Sequence, residues 1–281
     1  MSKYENYNST SRNYDKQRVP VASDTIAAMI QFLTSKQLKD IHVLDAGCGT
    51  GNYSSALLER GLGQVTMIDA SSGMLQQARD KLGHALADGR VKQMLEVKLP
   101  ELPFPDKTFD AVMFNLVLHH LEPKSSSTDG SFPVITKAIT EARRVIKKNG
   151  VLIVTTQLPN ILKNNLWFSR INENLTERNM KRWPELDYYE STFSAAKFEL
   201  VETVNILSKH YLNENEFYEG PLHDWWRDTE SYWALATEEE LRQIKEKISD
   251  LKERGELEAW AKERDRARTE GSITLFVCKA M

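Results

Sequence analysis

Apolar residues in the first half of the chain fall into two alternating patterns. Short unbroken runs are followed by segments whose apolar positions return every three or four residues. Residues 24–38 read as a helix with Ile26, Met29, Ile30 and Leu33 on one face. The run at 41–46, IHVLDA, reads as a buried strand ending in a glycine turn. A helix over 51–60 stops at Gly61, a strand follows at 64–69 and a helix at 71–83. Further strands are expected at 91–97 and, after the breaker-rich LPFPDKT, at 109–115. A helix over 133–148 is expected to stop at Asn149-Gly150, ahead of a fifth strand at 151–157. Apolar runs without alternation suit strands buried on both faces. Repeated β-α units then predict an α/β fold, a parallel sheet with helices on both faces.

The character changes after Gln157. Residues 160–196 look helical and carry several aromatics, 198–207 reads as a strand, and 272–279 as a last core strand. A long connection lies between those two strands. It holds FYEGPLHDWWRDTESYWAL and then a charged helix from about Glu238, opened by a Thr237/Glu240 capping box. Leu241, Ile244, Ile248 and Leu251 form a narrow stripe on that helix, for packing on the domain or for a dimer seam. The expected organisation is an N-terminal lid segment (1–23), a core (24–207), a helical cap insertion (208–270) and a final core strand (271–281).

Composition narrows the classes. With 281 residues the chain can hold one large α/β domain and an insertion. A net charge of −3 argues against a protein that works mainly on nucleic-acid phosphates. Only two cysteines occur, Cys48 and Cys278, and Cys48 sits inside the glycine turn, which suits a reducing compartment. The first twenty residues are polar and do not read as a secretory signal, and no apolar run is long enough for a membrane span. A cytoplasmic protein, monomer or homodimer, without membrane or nucleic-acid partners, is the expectation.

The chemistry concentrates at Val43-Leu44-Asp45-Ala46-Gly47-Cys48-Gly49-Thr50-Gly51-Asn52-Tyr53. Glycines there permit a sharp turn and close approach of a ligand. The following helix is expected to offer unpaired N–H groups and a positive dipole end to a carboxylate or phosphate. Asn52 occupies the position where a dinucleotide fingerprint needs glycine or alanine. Asp45 would repel a pyrophosphate but suits a ligand carrying an ammonium and a sulfonium.

VLDAGCGTGNY, the acidic strand end in MIDAS, the block LPFPDKTFDAVMFNLVLHHL and the block RRVIKKNGVLIVTT occur in order. Over residues 25–157 the sequence resembles class I S-adenosylmethionine-dependent methyltransferases, in the broad group related to ubiquinone/menaquinone-biosynthesis enzymes. The resemblance implies a Rossmann-like, mostly parallel sheet with an antiparallel last strand, and S-adenosyl-L-methionine as cofactor. It implies contacts from Asp45, Ala46, Gly47 and Gly49 beneath the methionine part. Asp69 matches the acid that holds both ribose hydroxyls, which one carboxylate can do. Ala70 and Met74 match adenine-lining positions, and Met74 reads equally well as helix core. Asn115 and Leu116 match the position whose backbone faces the cofactor's amino group. The His119-His120 pair is expected to pack structurally. Lys98 stands where relatives often carry an adenine-binding Asp, which leaves Glu96 or the backbone around Val97 for that role. Tyr14 and Arg18 resemble a lid, with Tyr14 closing over the cofactor and Arg18 pairing with its carboxylate.

The resemblance implies methyl transfer, for which alignment matters more than a catalytic triad. No metal constellation stands out. His210, His223 and Tyr232 are the candidate bases. Trp225, Trp226, Tyr232 and Trp233 are candidates for an aromatic clamp on the acceptor, with Arg227 for an acceptor carboxylate. The tryptophans would equally serve to pack the cap. The expected acceptor is a small polar metabolite with a carboxylate or a cationic centre, methylated on O, N or S. Open alternatives are a protein or tRNA methyltransferase and a non-catalytic S-adenosylmethionine-binding partner subunit. A nicotinamide-dependent oxidoreductase is disfavoured by Asn52 and Asp45.

Overall fold

The computed structural model describes residues 19–122, 130–207, 217–228 and 231–281. Helix α1 (Ser23–Thr34) precedes β1 (His42–Ala46), α2 (Asn52–Glu59), β2 (Gln64–Asp69), α3 (Ser72–Ala87) and β3 (Val91–Glu96). Then come β4 (Phe109–Asn115), α4 (Pro133–Val145) and β5 (Ile146–Thr156). Three helices follow, α5 (Pro159–Asn165), α6 (Glu173–Met180) and α7 (Leu186–Ala195), before β6 (Phe198–Ile206). The second half closes with α8 (Asp224–Arg227), α9 (Glu238–Glu253), α10 (Leu257–Arg264), α11 (Ala267–Glu270) and β7 (Ile273–Ala280).

The strands form one sheet in the order β3-β2-β1-β4-β5-β7-β6. The first five are parallel, and β7 runs antiparallel between β5 and β6. Successive residues of each central strand alternate between two cores. Val43, Ala111, Met113, Val151 and Ile153 join α1, α2 and α3 on one face. Leu44, Val112, Phe114, Leu152 and Val154 join α4 and α7 on the other. Both faces are therefore buried, and the strands read as unbroken apolar runs for that reason.

One boundary differs from the sequence reading. Helix α4 ends at Val145, and Asn149-Gly150 forms a left-handed kink inside β5, with Asn149 at φ 61°. Ile146 already pairs with Phe109, so hydrogen bonding to β4 takes over from the helical pattern before the Asn-Gly signal arrives. The kink works as a strand irregularity between Ile146 and Val151, where the register shifts.

A third cluster lies apart from the sheet. Leu162, Trp167, Phe168, Leu175 and Trp183 from the first segment after β5 pack with Tyr218, Trp226, Tyr232, Trp233, Ile244, Ile248 and Leu251. Ile244, Ile248 and Leu251 of the α9 stripe are thus buried within the chain, in line with the packing alternative, while Leu241 stays half-buried outside the cluster. Both halves of the Thr237/Glu240 capping box are formed. Among the described residues no helix is long and apolar enough to cross a membrane.

Candidate functional site

The parallel strands end together, and the sequence-predicted cofactor residues share that edge. Ala46 pairs with Ile68, Asp69 with Glu96, and Asn115 with Thr155. Ligands of open α/β sheets bind at the carboxyl ends of the strands, where the strand order reverses. Here the reversal lies between β1 and β4, on either side of which sit Asp45 and Asn115.

The turn after β1 is held tightly by the protein itself. The N–H groups of Gly47 and Cys48 donate to Ile68 O (2.8 and 3.0 Å), that of Gly49 to Asp69 Oδ2 (2.9 Å) and that of Gly51 to Cys48 O (2.9 Å). These four donors of the turn are therefore not open to an anionic ligand. Instead the turn presents a close backbone surface. Gly47 has φ 81°, and a Cβ there would sit 2.4 Å from a Val117 methyl. Gly49 has φ 54°, and a Cβ there would meet nothing within 4 Å, so this side of the turn is open.

Asp45 is 1% exposed. Its Oδ2 accepts from Ser54 Oγ at 2.6 Å, while Oδ1 has no hydrogen-bond partner. Burial pushes this carboxyl up to about 6; the Asp69 charge adds to the rise, and the Ser54 hydroxyl opposes it. Ser54 itself escaped the sequence reading. The available signal was a serine on the inward face of α2, three residues before the buried Leu57. Asn115 is also buried. Its Oδ1 accepts from Thr155 Oγ1 at 3.2 Å, and its Nδ2 has no partner. Leu116 follows at φ 52°, a left-handed conformation that costs a non-glycine residue about 1–3 kcal/mol. Its N–H donates to Thr155 O at 3.0 Å. Backbone strain, two orphaned polar atoms and a destabilised carboxylate thus meet at one strand edge.

Asp69 accepts from Gly49 N through Oδ2 and from Ser71 N through Oδ1 (2.8 Å). Burial holds its pKa above the ordinary carboxylate value. A carboxylate offers about four acceptor sites. Each Asp69 oxygen therefore keeps capacity for one hydroxyl donor. Ala70 follows it, half-buried, and Met74 is buried in the first turn of α3, its N–H donating to Ser71 Oγ at 3.2 Å. Glu96 and Lys98 are exposed, and Val97 N donates to Asp69 O at 3.0 Å. The Val97 N–H is thus engaged, which leaves Glu96 as the exposed acceptor beside Asp69.

The histidine pair forms a 3₁₀ turn, Leu118–His120, and packs as structural side chains do. His119 stacks on Trp183 with ring centroids 3.7 Å apart and planes at 20°. His120 Nδ1 lies 3.3 Å from Arg182 Nη2, and Arg182 Nη1 donates to Ser231 Oγ at 3.1 Å. The segment after β4 is in this way bolted to the aromatic cluster. Trp183 and Arg182 were not singled out in the sequence, because nothing local marks a contact across more than sixty residues.

The cap residues divide. Trp226, Tyr232 and Trp233 are buried in the third cluster. Tyr232 Oη lies 3.0 Å from Thr176 Oγ1, and burial raises its phenol well above the usual range, which makes it a poor base. Arg227 donates to Pro221 O at 2.6 Å and to Asp224 Oδ1. Those contacts engage its guanidinium within α8 and its approach, so the structure gives it a local structural role in place of an acceptor clamp. Trp225 is the exposed one, at 45%. It stacks near Phe217 and His223, at centroid distances of 5.7 and 6.0 Å. Tyr14, Arg18 and His210 lie outside the described residues.

Residues 44–154 match the model of a family described as a methyltransferase domain. A malonyl-[acyl-carrier protein] O-methyltransferase of Salmonella typhimurium is 31% identical over 144 residues, 50% of this chain and 48% of that protein. A ubiquinone/menaquinone biosynthesis C-methyltransferase of Haemophilus ducreyi is 32% identical over 114 residues, 40% of this chain and 39% of that protein. The chain thus spans less than half the length of these curated relatives. A solved structure from Anabaena variabilis, of a methyltransferase assigned to an antibiotic biosynthesis pathway, aligns over 94% of this chain and 99% of that one, with a TM-score of 0.68 at 22% identity. That likeness is one of fold. The glycine turn and the β3-β2-β1-β4-β5-β7-β6 sheet agree with that match: residues 44–154 are similar to a methyltransferase domain, and the chain shares the Rossmann-like fold of its structural neighbours.

Proposed function

We propose that this protein uses S-adenosylmethionine as methyl donor and methylates a small polar metabolite. The observation that carries the donor is Asp45, a buried carboxylate with one oxygen unpartnered, at the strand edge beside the open face of Gly49. An isolated buried carboxylate is costly unless it is paired. A cationic ligand supplies that pairing, whereas a pyrophosphate would worsen it. The residues fit the donor along its length. Asp45 and the backbone at Asn115–Leu116 would hold its amino acid end. Asp69 would accept from two hydroxyls, and Ala70, Met74, Glu96 and Val97 would lie along its base.

When bound, this donor supplies a methyl group already activated by a sulfonium. The chain's own task is to align the acceptor and exclude water. The buried His119–Trp183 stack beside the strand edge provides a wall for that purpose. A general base is required only for acceptors that must lose a proton. Among the described candidates, His223 is half-buried, with its ring beside those of Phe217 and Trp225. The reading includes a cytoplasmic enzyme acting on a diffusible acceptor, without membrane or nucleic-acid partners.

The test is transfer of labelled methyl from S-adenosylmethionine into cell extract split into small-molecule, protein and RNA fractions. Label in the small-molecule fraction is expected. Label confined to protein or RNA would overturn the acceptor class. No transfer to any fraction, with donor binding intact, would leave a binding subunit in place of an enzyme.

A further inference from the structure

A cavity of about 530 Å3 opens where α6 meets the N-terminal ends of α4 and α7. Its apolar walls include the rings of Phe132, Trp183 and Tyr188. Its charged residues are Glu177, Glu185 and Asp187, against a single cation, Lys181. Among the described residues none of the three carboxylates forms an ion pair.

A fourth carboxylate, outside the cavity lining, sits behind Phe132 at the start of α4. Glu122 is 3% exposed; its Oε1 accepts from Val134 N and Ile135 N at 2.7 and 3.0 Å, and its Oε2 has no partner. It is tied to the wall through α4, since Tyr188 Oη donates to Phe132 O at 2.6 Å. Its charge also contributes to the raised pKa of the Tyr188 phenol, although burial is the larger cause. The cavity is not remote from the strand edge. Trp183 stacks on His119, four residues beyond Asn115.

We propose that this cavity binds an organic cation, an ammonium or quaternary ammonium group on a small apolar body, as the anchoring part of the methyl acceptor. The inference rests on the methyltransferase reading above. Ring faces attract cations, by about 0.5–2 kcal/mol per pair depending on exposure. Carboxylates that form no ion pair among the described residues add to that attraction, and an anionic acceptor would meet repulsion. Helix N-termini favour acidic side chains, which accounts for Glu185 and Asp187 at the start of α7. It does not account for Glu177 in the middle of α6 or for three aromatic residues lining the same cavity.

The test titrates choline into the full chain by calorimetry, with 3,3-dimethylbutan-1-ol as the uncharged compound of the same shape. Choline is expected to bind at least about tenfold more tightly than the alcohol. The double variant Glu185→Gln with Asp187→Asn, both on exposed side chains, is expected to weaken choline by about tenfold. S-adenosylmethionine titrated into the same samples should bind equally well to both proteins. Equal affinity for choline and the alcohol, or choline binding unchanged in the double variant, overturns the proposal and leaves the acids to serve the α7 dipole. If the donor binds and choline does not, the cavity inference fails alone. If choline binds and the donor does not, the methyltransferase reading fails, and with it the assignment of the cation as methyl acceptor.

Discussion

The backbone N–H of Gly49 donates to Asp69 Oδ2 at 2.9 Å, so the turn after β1 is braced by the end of β2. The same carboxylate that would hold the donor's hydroxyls also fixes the backbone beneath its other end. Replacing Asp69→Ala removes both roles. Donor affinity should fall at least about a hundredfold, and stability by about 1–3 kcal/mol as Gly49 N and Ser71 N lose their acceptor. Calorimetry and urea unfolding measure the two separately. Full donor affinity in the variant would remove Asp69 from the site.

Asp45 predicts opposite signs for stability and function. Its folded pKa of about 6 lies above the ordinary aspartate value of 3.8, so the fold disfavours the ionised form. The penalty is absent below pH 4, grows between pH 4 and about 6, and is fully present above that. Asp45→Asn keeps an acceptor for Ser54 and removes the buried charge. At pH 7.5 its Tm should be unchanged or higher than that of the parent, while donor affinity falls by at least about tenfold. A lower Tm with unchanged affinity would contradict this account of the residue.

The two turn glycines should respond differently to alanine. At Gly47 the new Cβ collides with Val117 in a left-handed backbone, so Gly47→Ala should unfold readily and lose several degrees in Tm. At Gly49 only the backbone preference opposes the change, about 1–2 kcal/mol, because nothing lies within 4 Å. Gly49→Ala should therefore remain folded and yet bind the donor more weakly, since its methyl enters the open face. Thermal scans with and without donor distinguish the two.

Acid should loosen the cap before the sheet. Glu240 accepts from Arg178 through both oxygens and caps α9 with Thr237, and the Arg178 bond holds its pKa down at about 2, below the ordinary 4.5. A depressed acid stabilises the fold above its unfolded pKa and loses that contribution as pH falls, here between pH 4.5 and about 2. Tryptophan fluorescence of the third cluster should shift in that window, and Glu240→Gln should shift at higher pH than the parent. An identical acid profile in the variant would show that this ion pair does not hold the cap.

Much of the fold was legible because its signals are local. β2 and β4 begin and end where the apolar runs do, at 64–69 and 109–115. The end of α4 was misplaced because pairing of Ile146 with Phe109, a distant residue, overrides a local Asn-Gly signal. At the candidate site, Asp45 stands out by its place before the glycine turn, while Asp69 and Asn115 are implied by the family resemblance. The engaged N–H groups of the turn were not, since their acceptors Ile68 and Asp69 come from β2. The cap was hardest. Its aromatics were visible, but only packing shows that Trp226, Tyr232 and Trp233 face a common core while Trp225 faces outwards. The acidic, aromatic cavity left no local signature at all, because Phe132, Trp183 and Tyr188 meet only in the fold.

The central claim is that the strand edge at Asp45, Asp69 and Asn115 is built for a cationic donor. The most direct measurement is calorimetric titration of the full chain with S-adenosylmethionine and with NAD, repeated from pH 8 down to pH 5. The account predicts one site for S-adenosylmethionine and none for NAD. It also predicts affinity that falls below about pH 6, by up to about tenfold per pH unit, as Asp45 takes up a proton. Saturable NAD binding without S-adenosylmethionine binding, or donor affinity independent of pH across that range, would contradict it.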